Sequence, residues 1–474
     1  MQPRKPDFLD MRVQFAGVNL VELARQFGTP TFLYDAAMIR ERFAELTRFD
    51  WTVRYAQKAC STLSILQLVR SCGAVVDSVS ANEIRRAMRV GYTTRPSESH
   101  NTAGRCVASP IEYTADIFDQ DALTFCVEHG VHVNCGSISM IEQLGEQRET
   151  YAKSAPCELT LRINPGFGHG HSRKTNTGGE LSKHGIWHEQ LAEAIAVARH
   201  GGWTVTGLHM HIGSGTDEEH LSQVAGAMEQ MALRAMHISE QQGGGADIRS
   251  ISAGGGLPIP YQKSACYVDT DRYFALWDAT RKRLETQLNR AIRLEVEPGR
   301  FPVAESGALL AEIRAVKKQG DRLFYLLDAG FNHLVRPAMY GSYHPISVVP
   351  RDGVTERPRY DVIVGGPLCE SGDVFTQECR NFTVDGESHE ESGYVVSRRL
   401  PQAAVGDYLL IERAGAYGFA MSSNYNSKPL AAEVLIDDGG QIGDGQCTGD
   451  GQKHHVREIR RRQTFDDLIA NEIF

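Results

Sequence analysis

The sequence predicts an α/β chain in which a TIM-type (β/α)8 barrel is joined to a second, mostly antiparallel β domain. Two observations lead there. Between about residues 50 and 300, short apolar, β-branched runs alternate with segments of helical period; beyond about residue 305, β-like runs continue without long helices between them. The barrel strands are read at TVRYAQKA (52–59), AVVDSVS (74–80), IEYTAD (111–116), VHVNCGS (131–137), ELTLRIN (158–164), TVTGLHMHIG (204–213), SISAGGG (250–256) and IRLEVEPG (292–299). Amphipathic stretches such as STLSILQLVRSCG and HEQLAEAIAVARHGG separate them, the second ending in glycine as helix C-termini often do. Eight strand–helix units favour a closed barrel over a doubly wound open sheet.

The second domain is read from ALLAEIRAV, RLFYLLDAG, YDVIVGG, DYLLIERAG and AAEVLIDD, with Gly/Asp-rich connections between the last of them. The barrel is assigned to residues 36–304. Residues 305–474, with the first 35 and their short strand candidate PTFLYD, form the β domain. Polar, Gly- or Ser-rich segments at 95–110 and 437–455 read as surface loops.

Composition narrows the classes of function. The 474 residues carry a net charge of -9, which disfavours non-specific nucleic-acid binding. No run approaches the roughly 20 apolar residues of a membrane-spanning helix. The start, MQPRKPDFLDMRVQF, lacks the apolar core of a secretory signal. Ten cysteines occur without a CxxC pair, so no zinc or other metal site is expected and most should pack as small apolar side chains in a reducing compartment. The composition is that of a cytoplasmic globular protein.

Reactive residues in such barrels sit at the C-terminal ends of strands. Lys58 ends the first predicted strand, Asp77 lies on the second and His211 closes the sixth. Gly254, Gly255 and Gly256 follow the seventh, and Glu297, Gly299 and Arg300 follow the eighth. All would face one mouth. A strand lysine is usually exposed at an edge, but the flanks of Lys58 predict a buried strand, where an ammonium is costly unless used. Burial favours the uncharged amine that adds to an aldehyde, so Lys58 reads as a Schiff-base lysine. A glycine triplet is often only a turn; after strand seven it suits a phosphate cradle, with Ser214 as a further donor. Glu297 could be a salt-bridge carboxylate, yet beside a pyridine ring it would keep the ring nitrogen protonated. His211 could be a core histidine, although its place suits a ring stacked on a cofactor. In the second domain, GGPLCESGDVF and GAYGFAMSSNYNSKP suit loops near a site. Cys369, with an ordinary thiol pKa of roughly 8.5, suits proton donation, and a disulfide with Cys379 is not expected.

Together, YAQKAC, DSVSANEI, RINPGFGHGHSRKTNTGGELSKHGI, HMHIGSG, SAGGGLPIPY, EPGR, DAGFN, RPAMYGSYHPI, CESGD and GAYGFAMSSNYN, in this order, closely resemble the diaminopimelate decarboxylases, of the alanine-racemase-like (fold-type III) class of pyridoxal-phosphate enzymes. The resemblance runs along nearly the whole chain. It implies a pyridoxal 5'-phosphate-binding barrel, a β domain contributing to the active site, and a homodimer with shared active sites. By position, it implies that Lys58 carries the cofactor near Asp77, that His211 stacks on its ring and that Glu297 pairs with its nitrogen. Gly254–Gly256 would bind phosphate, and Gly299 and Arg300 would also belong to the cofactor site. Arg300, Arg336 and Tyr340 would grip the retained substrate carboxylate, Glu370 the distal ammonium, and Tyr417 would close over both cofactor and substrate. Cys369 would protonate the carbanion from the partner subunit.

The sequence departs from that pattern at His333, where an acidic residue is expected, and at Lys428, where arginine is. Segments 95–110, 380–393 and 437–455 are longer than expected. Rival readings are a decarboxylase of ornithine, arginine or carboxynorspermidine, a racemase, and a non-catalytic regulator. Arg336 and CESGD weigh against the first, the lack of a second base against the racemase, and retention of Lys58 and Cys369 against the last.

Overall fold

The computed structural model describes residues 6, 8–95, 108–168, 177–211, 213, 218–384, 387–437, 446–447 and 454–473. Two compact units divide the chain: residues 43–258 with 268–299, and residues 1–42 with 259–267 and 300–474.

The first unit is a closed barrel of eight parallel strands. Their order around the barrel follows the chain: Thr52–Ala56, Val75–Ser78, Ile111–Ala115, His132–Cys135, Glu158–Asn164, Thr204–His209, Ala246–Ser252 and Arg293–Val296. Glu158–Asn164 pairs with Thr204–His209, Arg293–Val296 returns to Thr52–Ala56, and the ring closes. The observed strands start or stop a few residues from the expected ones; Ala246–Ser252 begins four residues early, where the apolar alternation of ADIRSIS already runs. Four of the helices between them begin where a side chain satisfies a free N–H. Ser80, Asp119, Ser137 and Asp269 each accept a backbone N–H from the first turn of their helix. Leu63–Ser71 and Leu191–His200 correspond to the two amphipathic stretches of the sequence, and each buries four apolar side chains.

Polar residues penetrate the barrel interior as one charged layer. Arg54 is wholly buried; its guanidinium holds Glu295 at 2.8 Å and Glu112 at 3.4 Å and donates to the carbonyls of Val76 and Ser109. Burial alone would push both carboxyls up. Arg54 and Arg293 bring Glu295 down to about 2, whereas Glu112, with Glu295 beside it, ends at about 8.

The second unit is built around the long strand Gly307–Gln319, which pairs antiparallel with Arg322–Leu327, Tyr408–Glu412 and Thr31–Asp35. PTFLYD is thus a strand of this sheet. Thr31–Asp35 and Ala432–Asp437 run parallel, as do Arg322–Leu327 and Arg359–Gly365, so the sheet is mixed although mostly antiparallel. Leu33, Leu310, Val349, Leu410, Val434 and Ile436 form its core. A buried carboxylate, Glu305, gathers Arg42 at 2.9 Å, Arg413 at 2.8 Å and the Tyr267 hydroxyl at 2.6 Å, pinning the 259–267 loop to the sheet. Segment 380–393 is largely an antiparallel hairpin, Gln377–Val384 with Glu387–Val395, rather than an irregular loop. Most of segments 95–110 and 437–455 lies outside the described residues.

Removing Arg54 leaves buried Glu112 without its cation and Glu295 with Arg293 alone. Arg54→Ala is expected to destabilise the barrel by roughly 3–5 kcal/mol, read as a lower urea midpoint. A shift below about 1 kcal/mol, the range of exposed pairs, would show that the layer is hydrated.

Candidate active site

At the barrel mouth, the first strand ends at Ala56 and a short 3-10 turn, Gln57–Ala59, carries Lys58. Gln57 and Ala59 are buried, but the Lys58 side chain is 46% exposed, which corrects the expectation of a buried strand lysine. Strand alternation stops before it, and the turn lifts the amine out of the wall. Its Nζ lies 3.7 Å from Oδ2 of Asp77, which is 1% exposed. Burial pushes the Asp77 carboxyl up against the pull of Lys58.

The eighth strand delivers Glu297, and the sixth delivers a partner, His209, that no sequence motif marks. His209 Nε2 lies 3.0 Å from Glu297 Oε2, and the Ser252 hydroxyl donates to Oε1 at 2.6 Å. Burial would raise Glu297, but His209 and Ser252 hold it well below the usual carboxylate range, ionised in a dry site. His211 lies two residues beyond the end of its strand, with Nδ1 buried. Burial, followed by Arg162, Lys58 and His209, pushes its ring well below the ordinary histidine range, so it stays neutral.

The glycine run passes beside these groups with no room for a side chain at Gly254 or Gly255. A Cβ on Gly254, at φ 62°, would lie 2.5 Å from the Met210 carbonyl oxygen; one on Gly255 would lie 2.7 Å from that of Glu297. Gly256 completes the turn, and Gly299 closes the eighth-strand loop in a buried position. Ser214 lies outside the described residues.

The second unit holds the remaining predicted residues in two clusters. Arg300 and Arg336 both donate to the Tyr261 hydroxyl, at 3.0 Å and 3.1 Å. The Arg300 guanidinium also lies 5.2 Å from the centre of the Tyr417 ring, and Tyr340 contributes to its electrostatic surroundings. Arg336, 6% exposed, further meets His344 Nε2 at 3.0 Å and the Ser342 hydroxyl at 3.3 Å. Among the described residues, neither guanidinium has a carboxylate partner. Cys369 and Glu370 form the other cluster, around Tyr425 and Asn426. The Tyr425 hydroxyl donates to Glu370 Oε1 at 2.6 Å and lies 3.7 Å from Cys369 Sγ, while Asn426 Nδ2 donates to that sulfur at 3.3 Å. Cys369 is an exposed free thiol.

Residues 36–304 match the family described as pyridoxal-dependent decarboxylase, pyridoxal binding domain. The diaminopimelate decarboxylase of Escherichia coli K12 is 46% identical, over 96% of each chain. The chain belongs to the diaminopimelate decarboxylase family. A crystal structure of a diaminopimelate decarboxylase, 46% identical, superposes with a TM-score of 0.81 over 96% of both chains. A second, from M. jannaschii in complex with L-lysine, is 26% identical with a TM-score of 0.77, covering 99% and 97% of the two chains. The protein is therefore a pyridoxal-dependent decarboxylase, and the barrel mouth fits that cofactor. It offers an amine beside a buried carboxyl, an ionised carboxylate, and glycine backbone bare of side chains.

Among diaminopimelate decarboxylases the departures here are local. His333 is buried, with Nε2 3.2 Å from the Pro429 carbonyl oxygen and Nδ1 3.4 Å from the Gly330 N–H; burial pushes it down to about 4. A neutral ring bonded at both nitrogens thus occupies the place of the expected acid.

His132, in the barrel wall, is likewise pushed down to about 4, by burial first and then by Arg54 and Arg293. Like His211 it is neutral when folded, yet it takes up a proton near pH 6.5 once unfolded. The unfolded chain then binds more protons, so stability should fall as pH drops below about 6.5, by roughly 1–2 kcal/mol per ring at pH 5. His132→Gln should flatten that slope by one ring's share in urea titrations across pH 5–7. An unchanged slope would place the titration elsewhere.

Proposed function

We propose that this enzyme decarboxylates meso-2,6-diaminopimelate to L-lysine and carbon dioxide, the last step of lysine biosynthesis. The observation that carries the reading is the pair Arg300 and Arg336, two guanidiniums on one phenol with no carboxylate partner among the described residues. Such a pair suits a planar carboxylate, which both forks can grip with charge-assisted bonds. Substrates with a single carboxylate lose it in the reaction and leave nothing for this pair to hold. Diaminopimelate keeps one, and so does its product. The M. jannaschii relative, solved with L-lysine, supports this reading.

Pyridoxal phosphate, when bound, supplies an electron sink for the pair released as carbon dioxide leaves. The chain's residues divide the remaining work. Lys58 would hold the aldehyde carbon of the cofactor through Nζ, with Asp77 orienting the amine. Glu297 would keep the ring nitrogen protonated, since its own ionised state is secured by His209 and Ser252. Neutral His211 would lie against the ring. Backbone N–H groups of Gly254–Gly256, with Ser214 and Gly299, would meet the phosphate. Arg300, Arg336 and Tyr340 would hold the retained carboxylate, Glu370 the distal ammonium, and Tyr417 would cover both. Cys369, with Asn426 fixing its sulfur, would deliver the proton that replaces carbon dioxide at carbon.

We further propose a cytoplasmic homodimer with shared active sites, built on a barrel of residues 36–304 and a β domain of 1–35 and 305–474. The exposure of Cys369 in a single chain supports a donor that works in its partner. Among the described residues, no helix is long and apolar enough to cross a membrane.

Purified protein with cofactor should release carbon dioxide from meso-diaminopimelate and not from ornithine or arginine. Arg336→Ala should lower kcat/KM for diaminopimelate by an amount equivalent to roughly 2–4 kcal/mol while the cofactor spectrum stays normal. An unchanged kcat/KM would move specificity elsewhere.

Shared sites make a second prediction. Lys58→Ala and Cys369→Ala are each expected to be inactive, yet each mixed dimer contains one intact site and one doubly damaged site. Equal re-assortment makes about half of the dimers mixed, so activity should return to about one quarter of wild type. Mixed dimers proven by tagged pull-down but no more active than the parents would mean that each site is built within one chain.

A further inference from the structure

We infer that Tyr261 is a positioning residue for the retained carboxylate, fixing the spacing of the Arg300 and Arg336 guanidiniums and presenting its own proton to the same anion. The inference rests on the reading of that arginine pair as the carboxylate grip.

Hydrogen-bond arithmetic carries it. A neutral phenol has one proton and two lone pairs, and an arginine can only donate. Arg300 Nη1 and Arg336 Nη1 reach the Tyr261 oxygen at 3.0 Å and 3.1 Å, so they take both lone pairs. The phenolic proton is left over, and no acceptor for it occurs among the described residues. It is available to whatever anion the two cations bind. Two guanidiniums close together repel, and a shared acceptor oxygen offsets that repulsion while setting their separation. Burial would raise the phenol, yet Arg336 and Arg300 together hold it below its ordinary range, as expected for an oxygen that carries partial negative charge toward both.

The assembly is fixed from behind. Arg336 Nη1 also donates to His344 Nε2 at 3.0 Å, so that nitrogen must carry the lone pair. His344 Nδ1 therefore holds the proton and donates it to the Glu412 carbonyl oxygen at 3.0 Å. Burial and Arg336 keep this ring neutral. The Tyr261 ring stands edge-on to His344, with centres 5.5 Å apart, and both guanidiniums lie within 6 Å of its own centre. Ring packing locates the phenol independently of its hydroxyl. Phenylalanine should keep the ring in place and remove only the oxygen.

The test compares holoenzymes of wild type, Tyr261→Phe and Arg336→Ala. Binding of L-lysine, which keeps the carboxylate, and of 1,5-diaminopentane, which lacks it, is read from the visible spectrum of the cofactor. Tyr261→Phe should weaken L-lysine roughly 10- to 100-fold, the range for a hydrogen bond to a charged group, and leave 1,5-diaminopentane unchanged. KM for meso-diaminopimelate should rise by a similar factor, with a smaller change in kcat. Equal weakening of both ligands would reduce Tyr261 to a packing role and overturn the inference. So would wild-type behaviour of Tyr261→Phe when Arg336→Ala loses its preference for lysine, an outcome that leaves the arginine pair's role intact. If neither variant alters that preference, the reading of the pair fails, and the inference with it.

Discussion

Closure of the barrel by pairing Glu158–Asn164 with Thr204–His209 is the constraint on which the catalytic half of the chain depends. All eight strands run the same way, so every strand hands its next residue to the same rim. Residues as distant in sequence as Lys58, Asp77, His209 and Glu297 become neighbours without any local signal that joins them. The price is a crowd of titratable groups of which Asp77, His209 and Glu297 are buried, where each unpaired charge would cost several kcal/mol.

The barrel answers with two stacked solutions. Within the wall, Arg54 serves Glu295 and Glu112 together; one cation cannot satisfy two buried carboxylates equally, and Glu112 is left at about 8. At the mouth, Glu297 is served by His209 and Ser252 and remains ionised. Asp77 is pushed the other way, its burial only partly offset by Lys58. Neighbouring carboxyls are thus driven apart in acidity by their surroundings, which is how one site keeps a fixed anion and a group open to protonation side by side.

Much of this was legible in the sequence, and the gaps have physical reasons. The eight strands showed because a parallel strand buried on both faces is a run of apolar, β-branched residues, as in ELTLRIN and TVTGLH. The burial of Lys58 was misread because the strand was extended through YAQKA, whereas the chain leaves the wall at Ala56. His209 went unnoticed since a histidine inside a strand looks like any satisfied core residue; only the three-dimensional pairing with Glu297 gives it a role. Tyr261 was quoted within SAGGGLPIPY without an assigned function, because its partners lie 39 and 75 residues away. Hairpin Gln377–Val395 was hidden by its charge: a strand such as ESHEESGYV lacks the apolar alternation that marks a buried face.

The second unit matches its buried Glu305 with Arg42 and Arg413, but its arginine pair follows the opposite electrostatic rule. Where the barrel matches buried charges within itself, Arg300 and Arg336 meet neutral partners among the described residues, namely Tyr261, Tyr417, His344 and Ser342. Cations held this way are costly until an anion arrives, and the deficit becomes selectivity for a ligand that brings a carboxylate. Arg300 follows Glu297 by three residues in the sequence. Arg336 comes from a separate short helix, Arg336–Tyr340, opened by a proline. On the proposed reading, gaining or losing that second arginine would alter which substrates are accepted while the barrel residues stay the same. A cofactor apparatus with separately adjustable specificity would follow from that proposed arrangement.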